Sequence, residues 1–363
     1  MQRVRTGGFA FAFAATQEPL VREGTAGGLS FIRSAAYVSR LASATIRRAG
    51  RIVGVIAAAA ALCLSLAGLA VAEPVVRAVP VADNVWLVQG EAALGSPSNG
   101  NFISNAAFVA TRDGVVVIDA LGSPDLAESL LAEIERVAKR PVSHVIVTHY
   151  HADHIYGLQA FKARGATIIA HAAALEYLNS DLAQRRLEAS RVELAPWVDE
   201  NTRLVPADRW IDGVTVLETG GERFEIHPVG PSHTPEDLVV WLPSRKVLFA
   251  GDLVFRGRIP FVGQADSRKW IDALDRLIAF RPDVLVPGHG PVSTTALADL
   301  ALTRDYLRFL RVAMSEAARN LEPFEEAYAR TDWSRFEKLP LFGLANRINA
   351  YNTYLLLERE GLE

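Results

Sequence analysis

The segment THYHADHIYG, residues 148–157, follows directly on the apolar run HVIV. It places three histidines and an aspartate within six positions, 149 to 154, in a chain with eight histidines in all. In extended chain His149 and His151 project to the same side. Asp153 and His154 follow where the chain turns into the next helix, so these neighbours can point in different directions. Imidazole and carboxylate in this spacing suit a divalent transition metal, zinc foremost. One loop can serve two neighbouring ions, His149 and His151 on one, Asp153 and His154 on the other. Four ligands are too few for two ions, so any fold of this chain must bring further donors to the same strand end.

Three candidates meet that demand. His233 lies in GPSHTPEDLVVW between two β-like runs, Asp252 in LFAGDLVF directly after one, and His289 in VLVPGHGP where another meets glycine. Gly251, Gly288 and Gly290 permit the tight backbone that presents a side chain over a strand end. His144, His171 and His227 stand alone in the sequence, and a lone histidine is more often a satisfied polar residue than a ligand; they are read as structural.

The surrounding pattern sets the architecture. Strand-like runs occupy NVWLVQG (84–90) and the two halves of NAAFVATRDGVVVIDA (105–120), which turn at Asp113-Gly114. EAALGSPSNG (91–100) between them reads as a loop. SPDLAESLLAEIERVAKR reads as a helix capped by Ser123, with Pro124 at its first position and Leu126, Leu130, Ile134 and Val137 at helical spacing. YGLQAFKARG reads as a helix stopped by Gly165, TIIAH as a strand, and residues 172–205 as a polar, helical insertion. Hairpins are expected at Gly220-Gly221 and Pro243-Ser244, a helix in SRKWIDALDRLIAF, a strand in VLVPGHG and a long helix over 294–320. Strands and hairpins with helices interspersed in each half predict an α/β four-layer αββα sandwich, two mixed β-sheets flanked by helices. Its domain would span 73–320, with 321–363 a helical tail packed on it.

Ahead of that domain, Arg47, Arg48 and Arg51 precede an uncharged apolar run, Ile52 to Ala72, ending in Ala70-Val71-Ala72. This reads as a secretory signal peptide within a leader of residues 1–72; an uncleaved membrane anchor is the alternative its length permits. Translation is expected to begin near Val38 or Leu41, since signal peptides start close to the N-terminus. The expected location is secreted or periplasmic, with no stable membrane anchor after cleavage. Cys63, the only cysteine, lies in the apolar run, which leaves no disulfide or thiolate ligand for the rest. A formal net charge of −3 gives no reason to expect nucleic acid or an anionic membrane surface as partner.

The order H-x-H-x-D-H, then His233 in SHTPED, Asp252 in AGDLVF and His289 in PGHGP, resembles the metallo-β-lactamase fold superfamily over about residues 80–295. The resemblance implies that His149, His151 and His233 hold one metal, that Asp153, His154 and His289 hold a second, and that Asp252 bridges them. It implies two Zn²⁺, with Fe or Mn the alternatives, and metal-assisted hydrolysis by hydroxide at neutral pH. Asp153 and Asp252 would be the catalytic carboxylates that orient the hydroxide and accept a proton. The superfamily spans β-lactamases, thiolester hydrolases of the glyoxalase II type, phosphodiesterases and iron-dependent persulfide dioxygenases. Zinc β-lactamases carry cysteine or serine where this chain has Asp252, which argues against a dedicated lactamase though not against weak lactam cleavage. Glyoxalase II enzymes hold glutathione with C-terminal basic residues. Arg304, Arg308 and Arg311 share a helical face here, which reads as a solvated face. LFAGDLVFRGRIPFVGQADSRKWIDALDRL resembles exported quinoprotein relay system zinc metallohydrolases, which implies a periplasmic quinoprotein pathway partner. Glu236 stands where glycine is common.

The expectation is therefore an exported dinuclear zinc hydrolase of an ester, thiolester or amide in a small-molecule substrate. Weak or promiscuous β-lactamase activity, a mono-iron persulfide dioxygenase, and a non-catalytic periplasmic partner or metal carrier are the alternatives. Specificity is expected from loop 91–100, Tyr156, the 172–205 insertion, and FRGRIPF (255–261), where Arg256 and Arg258 are placed to bind an anionic group. Trp197 and Phe342 are candidates for the mouth of the site or for the core.

Overall fold

The computed structural model describes residues 74–263 and 265–361. The expected leader, with its export signal and Cys63, lies outside the described residues. Seven strands form one sheet in sequence order: β1 (Ala78–Ala82), β2 (Val85–Val88), β3 (Ala106–Ala110), β4 (Val115–Ile118), β5 (Val142–Ile146), β6 (Thr167–His171) and β7 (Arg209–Ile211). It is antiparallel from β1 to β4 and parallel from β4 to β7. Five strands form the second: β8 (Thr215–Thr219), β9 (Glu222–Pro228), β10 (Leu238–Leu242), β11 (Val247–Phe249) and β12 (Val284–Val286). Their order is β12-β11-β10-β9-β8, and only β11 and β12 run parallel.

The layering follows from the alternation of side chains along each strand. On β4, Val116 and Ile118 face an apolar layer shared with Leu217, Phe224 and Val240 of the second sheet, whereas Val115 and Val117 face helices. On β10, Leu238, Val240 and Leu242 join that inter-sheet layer, and Val239 and Trp241 face the other way. Strands covered on both faces need near-continuous apolar sequence, which VVVI and LVVWL supply. Each fully buried large apolar side chain contributes roughly 1.5–3 kcal/mol relative to exposure.

Against the outer face of the first sheet lie α1 (Pro124–Ala138), α2 (Ala152–Ile155), α3 (Leu158–Ala163), α4 (Ala174–Leu178) and α5 (Asp181–Glu193). Ser123 caps α1, its Oγ accepting from the Leu126 amide at 3.3 Å, and Pro124 opens the helix. Against the second sheet lie α6 (Ser267–Ile278), α7 (Ala296–Asn320), α8 (Phe324–Arg330) and α9 (Phe342–Glu360). The result is the four-layer αββα sandwich. YGLQAFKARG forms only the short α3, because the chain breaks at Tyr156-Gly157 between α2 and α3. Strand β7 is an element the sequence pattern does not announce: RWI is too short to show a period.

Residues beyond 320 pack into the second core. Tyr306, Leu307, Leu310 and Met314 of α7 pack with Ala345, Ala350 and Tyr354 of α9. The arginines on α7 face solvent-side acids: Arg304 and Arg308 pair with Asp275, and Arg311 with Glu360. Among the described residues no helix is long and apolar enough to cross a membrane.

Candidate metal centre

Every expected donor stands at a strand end on the same edge of the sandwich. His149, His151, Asp153 and His154 follow β5; His233 lies between β9 and β10; Asp252 follows β11, and His289 follows β12. The donor atoms of His149, His151, His233 and Asp252 lie within 4.8 Å of one another, as do those of Asp153, His154 and His289. Asp252 touches both groups. Its Oδ2 is 3.4 Å from His233 Nε2, 3.7 Å from His149 Nε2 and 3.3 Å from His289 Nε2, and its Oδ1 is 3.2 Å from His154 Nε2. The approach is close because residue 288 is glycine: a Cβ there would stand 2.1 Å from Asp252 Oδ1. Gly251, at φ +51°, supplies the left-handed turn that lifts Asp252 over the strand end.

The rings are held by their outer nitrogens. His154 Nδ1 donates to Asp119 Oδ2 at 2.8 Å, His289 Nδ1 donates to the Ile103 carbonyl at 2.7 Å, and His149 Nδ1 lies 3.0 Å from Thr148 Oγ1. Each leaves Nε2 facing inward, the arrangement metal-binding histidines use. Asp119 also accepts from the Thr148 amide and hydroxyl, each at 2.8 Å, and so sets the strand end from which His149 departs. Asn105 ties the opposite side: its amide nitrogen donates to the Pro287 and Gly290 carbonyls, 2.8 Å each. Glu236 is buried, and its carboxylate accepts from the Tyr150 amide at 3.2 Å, joining the His233 loop to the backbone between His149 and His151.

The donor set fits divalent cations. His154 Nε2 and Asp252 Oδ1 are buried and face each other without making a hydrogen bond. The nitrogens of His149 and His233 each stand 3.1 Å from His151 Nδ1, three imidazoles converging on one point. Burial, with neighbouring imidazoles, pushes His149 well down and His233 down to about 3, so both present lone pairs at neutral pH. Burial also works against a proton on His154, yet Asp252, Asp153 and Asp119 outweigh it and raise that group well above its usual range. For Asp252 burial pulls upward, but His289, His154 and His149 hold the carboxyl well below the usual range. A buried site that would otherwise recruit a proton for its positive charge is one that receives a cation readily.

Two residues expected to contact substrate have other surroundings in the fold. Tyr156 is 1% exposed, its ring inside the first core and its hydroxyl 3.2 Å from Ser190 Oγ; burial, foremost, raises that hydroxyl's pKa. The residue is therefore part of the first core. Arg256 is held by partners elsewhere in the fold. Its Nε donates to Asp299 Oδ2 at 2.9 Å and its Nη1 to the Val292 carbonyl at 3.0 Å, which ties the guanidinium to the start of α7 and the segment before it. Trp197 is buried and donates to the Pro97 carbonyl, and Phe342 packs on the second core; neither is assigned to the mouth. Arg258 is buried, its guanidinium 5.5 Å from the Phe255 ring centre. Asp119, Asn105 and Trp270, which packs 5.2 Å from the His233 ring, are additions. Asp119 had a legible signal, since it closes the apolar run VVVI much as Asp252 closes VLF.

Asp119→Asn keeps shape but replaces an acceptor by a donor opposite His154 Nδ1 and Thr148. Metal affinity or activity is expected to fall about 10–100-fold, read by metal titration against a competing chelator; an unchanged affinity would remove Asp119 from the site.

Residues 99–289 match the profile of the Metallo-beta-lactamase superfamily. A metallo-beta-lactamase type 2 from Bacillus sp. (strain 170) is 32% identical over 236 residues, 62% of this chain and 79% of that protein. A linear primary-alkylsulfatase from Pseudomonas sp. is 27% identical over 242 residues; the match takes 56% of this chain but only 45% of that longer protein. Among solved structures, a metallo-beta-lactamase from Pontibacter korlensis superposes with a TM-score of 0.50 at 25% identity, covering 64% of this chain and 99% of that one. The sec-alkylsulfatase Pisa1 from Pseudomonas sp. superposes at 0.57 with 20% identity, covering 78% of this chain and 50% of its own, a likeness of fold.

Proposed function

The chain belongs to the metallo-β-lactamase superfamily, and from that premise we propose that it is a dinuclear zinc hydrolase cleaving an ester, thiolester or amide bond in a small molecule. It is a metal-dependent hydrolase with a His/Asp cluster for a divalent cation. The observation that supports two ions is the division of seven donors into two groups with Asp252 reaching both. A single iron would leave one group without a role, which disfavours persulfide oxygenation. Sulfate esters belong among the proposed substrates because the alkylsulfatase relative acts in that class by name. Lactam cleavage is the second reading, favoured by the lactamase relatives.

When bound, such ions supply Lewis acidity and a lowered pKa for water. The chain supplies the rest. Asp153 is the more open of the two carboxylates, its side chain 16% exposed against 5% for Asp252, and its Oδ2 lies 3.4 Å from His289 Nε2 and 3.6 Å from His154 Nε2. This openness supports Asp153 as the carboxylate that orients an attacking water and accepts its proton. Asp252, enclosed by imidazoles, holds the two groups together. Asp119, Ile103 and Thr148 keep the rings from turning as charge moves.

The full chain should be assayed with 4-nitrophenyl acetate, 4-nitrophenyl sulfate, a chromogenic cephalosporin and a thiolester, with elemental analysis in parallel. The expected result is about two zinc per chain and turnover of at least one ester, lost with chelator and restored by zinc. One iron per chain, or turnover indifferent to chelator, would overturn the reading. Export is proposed on the leader alone, and N-terminal sequencing of the cell-envelope form should begin at Glu73.

A further inference from the structure

Asp252 lies in a short 3₁₀ turn, Gly251–Leu253, after which a loop leads toward α6 at Ser267. Arg258 lies in that loop, 5% exposed, and its Nη1 is buried without a partner. Its Nε donates to the Ile259 carbonyl at a long 3.4 Å. The guanidinium lies 5.5 Å from the Phe255 ring centre, and Phe255 in turn stacks on His289 at 4.9 Å with the planes 6° apart. Phe255 also sits 5.8 Å from the His233 ring, so it connects Arg258 to histidines of both donor groups. Burial lowers the Arg258 pKa, opposed by the carboxylates of Asp252 and Asp153. A buried guanidinium with an open N–H is costly unless an anion completes it, and guanidinium matches carboxylate and sulfate geometry.

What keeps this arginine there comes from the far end of the chain. Asn349 on α9 is fully buried. Its amide nitrogen donates to the Pro260 carbonyl at 2.7 Å, and its amide oxygen accepts from the Val262 amide at 2.9 Å. One side chain thus grips the loop on both sides of Phe261. The same nitrogen donates to the Tyr306 hydroxyl at 3.0 Å, which donates onward to Asn346 Oδ1 at 2.9 Å, and Asn346 donates to the Tyr328 hydroxyl at 3.1 Å. Closer to Arg258, the Ile259 amide donates to the Pro340 carbonyl at 3.0 Å. All these partners lie beyond residue 289, where the superfamily match ends. A fully satisfied polar network in an apolar core fixes one arrangement of the segments it joins.

We propose that Asn349 is a positioning residue that sets Arg258 beside the metal centre, so that the C-terminal helices make the site selective for substrates carrying a carboxylate or sulfate near the scissile bond. The proposal deepens the hydrolase reading and rests on it for its kinetic test.

The test compares the zinc-loaded full chain with Arg258→Ala, Asn349→Ala and the double variant on two esters, neutral 4-nitrophenyl acetate and anionic mono-4-nitrophenyl succinate. Each single variant should lower the ratio of kcat/KM for anionic over neutral ester about tenfold or more, with the loss in KM rather than kcat. The double variant should be no worse in this ratio than Arg258→Ala. Equal losses on both esters, or full additivity in the double variant, would reduce Asn349 to a structural residue. If Asn349→Ala does not fold, Tyr306→Phe removes only the hydroxyl that accepts from Asn349. It should shift the ratio in the same direction, and no shift in that variant would overturn the proposal. Calorimetric binding of succinate separates this proposal from the hydrolase reading. Binding weakened alike by Arg258→Ala and by Asn349→Ala (or Tyr306→Phe) would support the clamp even if neither ester turned over. Absence of succinate binding in the unaltered chain would overturn it.

Discussion

Asp252→Ala is expected to lower turnover on the order of 10³-fold or more and to reduce the metal content below two per chain. Asp252 is the carboxylate that lies within 4 Å of histidines from both donor groups, His149 and His233 on one side and His154 and His289 on the other. Without it four imidazoles lose their shared anion, and two cations held as proposed would lose a carboxylate that offsets their mutual repulsion. Lewis-acid stabilisation by a bound ion is worth several kcal/mol, and each 1.36 kcal/mol is about a factor of ten. Asp252→Asn keeps the volume but removes the charge, and should behave like the alanine variant. Elemental analysis with kcat on a turned-over ester decides it. Two metals and undiminished kcat in either variant would mean that Asp252 does not bridge.

Trp270→Ala is expected to cost about 3–5 kcal/mol of stability. The indole is fully buried on α6, donates from Nε1 to the Leu253 carbonyl at 3.1 Å, and packs against His233 and Phe255 at 5.2 and 6.5 Å between ring centres. Its removal leaves a cavity beside a donor and an unpaired carbonyl next to Asp252. Denaturant unfolding should show a lower midpoint with an unchanged slope, and metal affinity should fall as His233 loses its backing. Trp270→Phe retains most of the volume and should lie between the two. A loss under about 1 kcal/mol for the alanine variant would mean that the core closes around the gap.

The donors were legible because each sits where an apolar run ends, and a strand end is a position that sequence marks. The layers were legible for a related reason: runs such as VVVI and LVVWL, apolar at every position, can be strands only if both faces are covered. The neighbours of the donors were not legible. Tyr156 lies two residues from His154, but on a helical turn two residues apart means nearly opposite directions. Arg256 and Arg258 look equivalent in FRGRIPF, and what separates them is Asp299, 43 residues beyond Arg256 and invisible to local spacing. Asn349 is further still, in a helix whose sequence gives no sign that one amide will hold a distant loop.

The donors come from two origins. Four descend from the strand end of the first sheet and three from loops of the second, with Asn105 of the first sheet fastened to the His289 loop of the second. Cations seated there would rivet the two halves of the sandwich at one edge, where the inter-sheet apolar layer gives way to solvent. The energy of metal binding would then resist the parting of the sheets, so the side chains that catalysis needs would also fasten the sandwich along that edge.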